Sequence, residues 1–433
     1  MLDIRLFREQ PEVMKAAIAK RGGHVEDVER VRELDEQLRA LKTGAEAKKA
    51  EINAASKVMG AQMKTLSPED RDAKRLELRS LGDRISEMDA LRIEVETVLQ
   101  NLLLEIPNIP NDLVPVGADE HGNVVTRQHG EPRVFDFTPK PHWELGVNLG
   151  ILDIERGIKI SGSRFYVLKG MGAALQRALI TYMLDLHIQK HGYEEIYPPF
   201  VVKQECLYGT SQLPKFADNL YHDVEDDFWM VPTAEVPVTN LHRDEILDAA
   251  QLPINYVAYT PCFRREKMSS GRDVRGIKRG HQFDKVEMVK LTTPQTSDEE
   301  LLRLIDNAED VCRGLELPYR ILLQCTGDLS FGSSITYDVE VHAPASKGDE
   351  GGEWLEVSSC SNFRDFQARR INIRYRPDPQ ARLEFVHTLN GSGLALPRIM
   401  IGVLENYQNA DGSITVPSVL RPYLHGREII EPK

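Results

Sequence analysis

Two apolar seams with a proline-marked break between them constrain the first hundred residues more than any other feature of the chain. Val31, Leu34, Leu38, Leu41 and Ala45 alternate three and four apart, and after Lys48 the pattern resumes at Ile52, Ala55 and Met59. That spacing puts apolar side chains on one stripe of a helix, which then needs a partner helix. The segment TLSPED (65–70) interrupts the pattern. Ser67 can cap a helix, Pro68 suits the first helical position, and acids follow. A second seam runs through Leu78, Leu81, Ile85, Met88, Val95, Leu99 and Leu102, with Arg92 in its gap. The spacing predicts two helices of roughly 35 residues, each on the order of 50 Å long. The short break lets one chain fold on itself, which argues against a plain dimerising coiled coil. A hairpin of this length is expected to project from the body of the protein.

Charge along the hairpin is uneven. Lys42, Lys48, Lys49, Lys57, Lys64, Arg71, Lys74 and Arg75 cluster toward the break, and Glu29, Glu33, Asp35, Glu36, Glu87, Asp89, Glu94 and Glu96 toward the base. A basic tip suits a phosphate backbone, and a solvated charged face is the alternative. The whole chain carries a formal charge of -13 over 433 residues. Such an acidic protein is no bulk binder of nucleic acid, so any contact with one needs a local basic surface.

The Pro-rich segment EIPNIPNDLVPVG (105–117) ends the second helix and reads as a linker. It divides the chain into an N-terminal domain, 1–107, with its arm at about 27–103, and a larger domain, 108–433. Beyond the linker, short β-type segments mix with covering helices, which predicts an α+β fold built on an antiparallel sheet. Residues 170–192 predict a helix ending at Gly192, then a strand broken by Pro198 and Pro199. Residues 297–314 predict a helix capped by Ser297 and stopped by Gly314. No apolar run is long enough to span a bilayer. The charged N-terminus, MLDIRLFREQPE, does not read as a signal peptide. Five scattered cysteines without a CxxC pair read as reduced thiols rather than a disulfide framework or zinc site.

The segment PCFRREKMSSGRDVRGIKRGHQFDKVEMV (261–289) begins and ends with strand-like alternation around a loop carrying Arg264, Arg265, Lys267, Arg272, Arg275, Lys278 and Arg279. Alternation puts Arg264 and Glu266 on one face of the first strand. It puts Phe283 and Glu287 on one face of the second, together with His281 and Lys285. An arginine fork can bind phosphate, an aromatic ring can stack on a base, and a buried glutamate can accept from an ammonium. The alternative is an exposed, ion-paired hairpin. In GEWLEVSSCSNFRDFQARR, Glu356 and a neighbouring serine could offer oxygen ligands to magnesium, or Glu356 could simply face solvent. FVHTLNGSGLALPRIMIGVLENYQ reads as strand, Gly-rich turn and helix. Gly391 and Gly393 permit close approach, and Arg398 in the first helical turns is placed for a phosphate. In VPTAEVPVTNLH, Thr233 and Glu235 sit on a loop between prolines and could read a small polar substrate.

Taken together these segments resemble the bacterial-type seryl-tRNA synthetases, over essentially the whole chain. HGYEEIYPP is similar to motif 1 of the class II aminoacyl-tRNA synthetases, with Pro199 as its signature proline. CFRREKMSSGRDVRGIKRGHQFDKVEMV is similar to motif 2 and GLALPRIMIGVLENYQ to motif 3. GTSQLPKF, PTAEV, EVSSCSNF and TLNGSGLA are characteristic of the seryl branch.

The resemblance implies a class II catalytic core with a tRNA-binding arm, ATP and Mg2+ as substrate and cofactor, and activation of L-serine for tRNA(Ser). It also implies charging of tRNA(Sec) where one exists, a homodimer formed through motif 1, and a cytoplasmic enzyme. Arg264 is implied to hold the ATP α-phosphate and the serine carboxylate, with Arg265 also on ATP. Glu266 meets the adenine side, and Phe283 stacks on adenine. Arg279 and Arg398 bind phosphates, Arg398 on the opposite face of adenine. Val274 to Arg279 lie in a loop that adjusts to nucleotide and tRNA end. Gly280, bulkier in some relatives, would contact adenine by backbone only. Glu356, Val357, Ser358 and Ser359 serve ATP, with Glu356 and Ser359 as the metal ligands, and Arg264, Glu356 and Arg398 form the catalytic set. Thr233, Ala234 and Glu235 line the serine pocket, Glu287 takes the serine ammonium, and Asn390 and Ser392 read the hydroxyl side. Strand parity puts Ser358, not Ser359, beside Glu356, so a role for Ser359 requires the strand to end or bulge there. Three rivals differ in sequence. A ligase charging a carrier protein would lack the arm, a non-catalytic paralogue would have lost the arginines or Glu356, and another class II specificity would normally carry a β-barrel.

Overall fold

The two seams fold into two long helices. The computed structural model describes residues 1–62, 67–267, 275–348 and 352–432, so the Lys64, Arg272 and Val274 expectations lie outside the described residues. In the N-terminal unit, α1 (Ile4–Glu9) and α2 (Pro11–Lys20) precede α3 (Glu26–Gln62) and α4 (Pro68–Glu105). Ser67 caps α4, its Oγ accepting from the Asp70 N–H at 3.1 Å. Val31, Leu38 and Ala45 of α3 and Ile85, Val95 and Leu99 of α4 are buried, as the seam requires. The helices pack closely at Gly44, where a Cβ would sit 2.6 Å from the movable end of Met88 at its Cε. The base is pinned by Arg8, which donates two hydrogen bonds to the buried Asp35 carboxylate at 2.7 and 2.6 Å.

The chain divides into two compact units, Leu2–Pro107 and Asn108–Lys433. The second is built on an eight-stranded sheet: β1 (Val124–His129), β2 (Glu194–Glu195), β3 (Ile254–Phe263), β4 (Gln282–Thr292), β5 (Tyr319–Leu323), β6 (Ile335–Ala343), β7 (Glu353–Arg364) and β8 (His387–Ala395), in the order β1-β5-β6-β7-β8-β4-β3-β2. Every pairing is antiparallel except the edge pair β2 with β3. Four helices matter for the site: α5 (His142–Asn148), α6 (Met171–Gln189), α7 (Ser297–Gly314) and α8 (Leu396–Asn406). Apolar faces of α6, α7 and α8 join the strands in one buried core that includes Leu179, Leu304, Ile399, Val286 and Val339. This is the expected α+β architecture with an antiparallel sheet. All five cysteines are free thiols. No helix among the described residues is long and apolar enough to cross a membrane.

Three local expectations are corrected. Ser297 is the first residue of α7 rather than its cap; Thr296 holds the cap position without a side-chain bond. The glycines of TLNGSGLA do not form a turn. They continue β8 directly into α8, because packing there admits no side chain: a Cβ on Gly391 would lie 2.9 Å from Cys360 Sγ, and one on Gly393 2.8 Å from His187 Nε2. Arg264 and Glu266 do not share a strand face, because β3 ends at Phe263 and Glu266 turns into the left-handed region at φ 49°.

Candidate active site

A cavity of about 400 Å3 opens where β4, β7 and β8 meet the end of β3 and the start of α8. All the residues predicted to bind substrates line it except Ala234, Arg265 and Ser358. Ala234 is fully buried beside the cavity at the start of a short helix, Glu235–Thr239. Arg265 turns away, its guanidinium 5.8 Å from the Tyr221 ring centre. Among the described lining residues five cations, Arg264, Lys278, Arg279, Lys285 and Arg398, face four carboxylates, Glu235, Glu266, Glu287 and Glu356. The basic stretch therefore serves a mixed-charge pocket rather than a single patch.

One end of the cavity is built from arginines around Phe283. Beyond β3 the ladder persists for one more residue, with Arg264 N–H donating to the His281 carbonyl at 2.9 Å. Arg264 Nε then donates to the Pro232 carbonyl at 3.2 Å, which holds its guanidinium 5.2 Å from the Phe283 ring centre. Arg279 Nη1 lies 3.3 Å from Glu266 Oε2, and the Glu266 carbonyl accepts from Arg164 at 3.1 Å. A left-handed backbone at a non-glycine residue is costly and persists where the surroundings dictate it, often at functional sites. Arg398 Nη1, entering from α8, donates to the Glu356 carbonyl at 2.7 Å and lies 3.4 Å from its carboxylate.

The other end is a buried polar floor. Glu287 Oε1 accepts from Asn390 Nδ2 at 3.1 Å, and Glu287 Oε2 accepts from Thr233 Oγ1 at 3.4 Å. Glu235 is buried close by and accepts from Gln367 Nε2 at 2.6 Å. Burial, and then the neighbouring Glu287 charge, push the Glu235 carboxyl up to about 7. Strand alternation brings Phe283, Lys285 and Glu287 of β4 to the same wall, as read from the sequence. His281, assigned to that face, does not line the cavity; its Nδ1 bonds the Arg264 carbonyl at 3.0 Å.

A register shift in β7 settles its parity. Ser358 pairs with Val339 and Glu356 with Glu340, so Val357 is an extra residue in the ladder. A bulge of this kind turns the following side chain to the opposite face. Glu356 and Ser359 consequently both line the cavity, whereas Ser358 is buried and donates from Oγ to the Ser392 carbonyl at 2.6 Å. Strand parity had put Ser358 there instead. Beside Ser359 lies its cross-strand partner Asp338, whose carboxyl is driven well above its usual range by burial and by Glu356. Asp338 Oδ2 accepts from Gln324 Nε2 at 2.7 Å.

Sequence reasoning had placed Lys285 on the right face without giving it a task. Its buried ammonium donates to Thr233 Oγ1 at 2.8 Å and pairs with Glu287. Thr210, Ser211, Gln212 and Phe216, from the GTSQLPKF segment, also line the cavity. The recognised motif was the available signal for them.

Residues 1–110 match the family model of the seryl-tRNA synthetase N-terminal domain, and residues 216–407 match that of the tRNA synthetase class II core domain (G, H, P, S and T). The serine--tRNA ligase of Roseiflexus sp. (strain RS-1) is 62% identical over 430 residues, covering 99% of each chain. That of Roseiflexus castenholzii is 61% identical over 430 residues, again covering 99% of each. Among solved structures, seryl-tRNA synthetase from Pyrococcus horikoshii complexed with ATP superposes with a TM-score of 0.92 at 36% identity over 100% of both chains. With full-length relatives at this identity and a matching core and arm, the chain belongs to the seryl-tRNA synthetases, the ATP-dependent serine--tRNA ligases of class II.

Proposed function

We propose that the cavity activates L-serine with ATP and passes the seryl group to tRNA(Ser). The observation that carries this reading is the division of one cavity into an arginine-rich end around Phe283 and a floor where the Glu235 and Glu287 carboxyl groups converge around Lys285. An amino acid bound between them would put its ammonium on Glu287 and Thr233 and its carboxylate toward Arg264. Asn390, Ser392 and the Glu235 side would meet its hydroxyl. Polar groups that lose their partner when the hydroxyl is missing discriminate against such analogues, and the small pocket limits threonine. ATP would stack its adenine on Phe283, with Glu266 at its edge and Gly280 offering only backbone. Its phosphates would lie among Arg264, Arg279 and Arg398.

The serine carboxylate is already a nucleophile, so no strong base is needed. One carboxylate oxygen bonds the α-phosphorus as the bond to the β-phosphate bridge breaks. Pyrophosphate leaves and seryl-adenylate remains. Arg264 contributes by aligning both reactants and meeting the charge that builds on the α-phosphoryl oxygens. A ribose hydroxyl of the terminal tRNA adenosine then attacks the acyl carbon, its proton passing to a phosphate oxygen of the AMP that leaves as the acyl–phosphate bond breaks. The oxygen donors of Glu356 and Ser359 on one wall of the cavity fit a hard cation. Mg2+ held there would neutralise phosphate charge.

The reading extends to the N-terminal hairpin as the tRNA-binding arm, supported by its basic half near the turn. It also extends to tRNA(Sec) where that tRNA exists, to a cytoplasmic setting, and to a homodimer through the motif 1 segment, where Tyr197 and Pro199 are exposed. ATP–pyrophosphate exchange with a panel of amino acids tests the core reading. Exchange is expected with serine. Exchange with another amino acid and none with serine would overturn it.

A further inference from the structure

Glu405, on the buried face of α8, gathers four donors onto one carboxylate. They are the His142 N–H at 3.0 Å, His142 Nδ1 at 2.9 Å, the Ala345 N–H at 2.8 Å and Ser346 Oγ at 2.9 Å. His142 opens α5 and is almost wholly buried. A carboxylate only accepts, so the imidazole proton must sit on Nδ1. That leaves Nε2 as an acceptor, and it receives the Ile277 N–H at 3.3 Å. Ile277 is itself buried in the core. Next to it, Gly276 has φ 67°, and a Cβ there would lie 2.0 Å from His142 Nε2, so the loop backbone reaches the imidazole only because the position is glycine. One residue earlier, the Arg275 guanidinium lies 4.8 Å from the ring centre of Trp143, the neighbour of His142 on α5.

The two residues after Ile277 are Lys278 and Arg279, both in the cavity wall. Lys278 Nζ bonds both oxygens of Glu353 at 2.7 Å, and Arg279 pairs with Glu266. Ile277 therefore fixes the backbone from which these two cations extend, while Glu353 and Glu266 hold their charged ends.

We propose that His142 is a positioning residue for the nucleotide: held in one tautomer by Glu405, it fixes the Ile277 backbone and thereby aims Lys278 and Arg279 at the phosphates. The proposal deepens the ATP reading above and rests on it. It also couples the motif 3 helix, through Glu405, to the end of the motif 2 loop. Thr233 and Asn390 of the serine floor lie on other segments, and Glu287 is held inside β4 by Lys285 and Asn390, so the effect should be specific to ATP.

Two substitutions separate the halves of the imidazole. His142→Asn keeps a donor near the Nδ1 position for Glu405 and removes the acceptor that Ile277 needs. His142→Gln offers an acceptor near the Nε2 position. For His142→Asn, the KM for ATP in exchange is expected to rise about tenfold or more, with the KM for serine little changed. Hydrogen exchange of the Ile277 amide is expected to quicken by about tenfold in the same variant. His142→Gln should recover much of both. Gly276→Ala attacks the contact from the loop side and should reproduce the ATP effect, which keeps the test open if His142→Asn does not fold. Wild-type ATP KM and wild-type Ile277 protection in His142→Asn, or equal losses for both substrates in His142→Asn and Gly276→Ala, would overturn the proposal. If the wild-type chain itself showed no ATP-dependent exchange, the functional reading would fail instead, and Ile277 protection alone would decide whether His142 anchors the loop.

Discussion

Lys285 Nζ donates to Thr233 Oγ1 at 2.8 Å and pairs with Glu287, so a single buried ammonium ties together two side chains of the proposed serine floor. Its side chain is 8% exposed and that of Glu287 1%. Charges that deep are retained only with a counter-charge in contact. Lys285→Met keeps the aliphatic stem and removes the charge, leaving Glu287 near Glu235 without its cation. Stability in urea denaturation is expected to drop by about 3–5 kcal/mol, and serine-dependent exchange should fall with it. Unchanged stability and exchange would show that the ammonium is dispensable.

Glu235 should write itself into the pH dependence of stability. Its folded pKa is raised to about 7 by burial and by Glu287, above the ordinary carboxyl value. Between those two values the folded state holds a proton that the unfolded state has released. Stability must therefore fall as pH rises through that window and stay reduced above it, by up to about 3 kcal/mol. Histidines such as His187, lowered to about 3 by burial, act in the opposite sense between that value and the ordinary imidazole value, a window that overlaps this one. The informative quantity is therefore the difference between wild type and Glu235→Gln, measured by denaturation from pH 5 to 8. The wild type should lose stability relative to the variant as pH rises; a flat difference would contradict the assignment.

The arm should be separable from amino-acid activation. Lys42 bonds Glu96 at 3.1 Å and Lys49 bonds Asp89 at 3.0 Å, so the pairing advances on one helix (42 to 49) as it retreats on the other (96 to 89). This antiparallel register allows 50–88 to be replaced by a short Gly-Ser turn without shifting the base. The excision removes Lys57, Lys64, Arg71, Lys74 and Arg75. Aminoacylation of tRNA(Ser) is expected to fall about a hundredfold or more through lost phosphate contacts, with pyrophosphate exchange close to wild type. Parallel loss of both activities would make the hairpin structural.

Features set by local spacing were legible in the sequence. The seams and the shared face of Phe283, Lys285 and Glu287 follow from periods of 3.5 or 2 residues, and the Ser67 cap from the order serine, proline, acids. Features set by distant partners were not. Gly391 and Gly393 look like a turn until Cys360, Leu304, His187 and Val286 are seen to leave no room beside them. His142 and Glu405 lie 263 residues apart, and neither has a local pattern that points to the other. The β7 bulge depends on its register with β6, which alternation within β7 cannot report. Motif recognition reached Ser359 in spite of the parity argument, because a motif records the bulge without explaining it.

That bulge yields a test that separates neighbouring hydroxyls. Glu356 and Ser359 line the cavity, while Ser358 faces into the protein and donates to the Ser392 carbonyl at 2.6 Å. If Mg2+ is held on the cavity side, Ser359→Ala removes one of its oxygen ligands. The Mg2+ concentration for half-maximal exchange should then rise by about tenfold, as weakening of a metal's surroundings commonly does. Ser358→Ala instead frees the Ser392 carbonyl next to the serine floor, so it should raise the KM for serine and leave the Mg2+ dependence in place. Titrating exchange with Mg2+ and with serine in both variants distinguishes the two roles. A Mg2+ shift in Ser358→Ala and none in Ser359→Ala would mean that strand parity, not the bulge, describes the working enzyme.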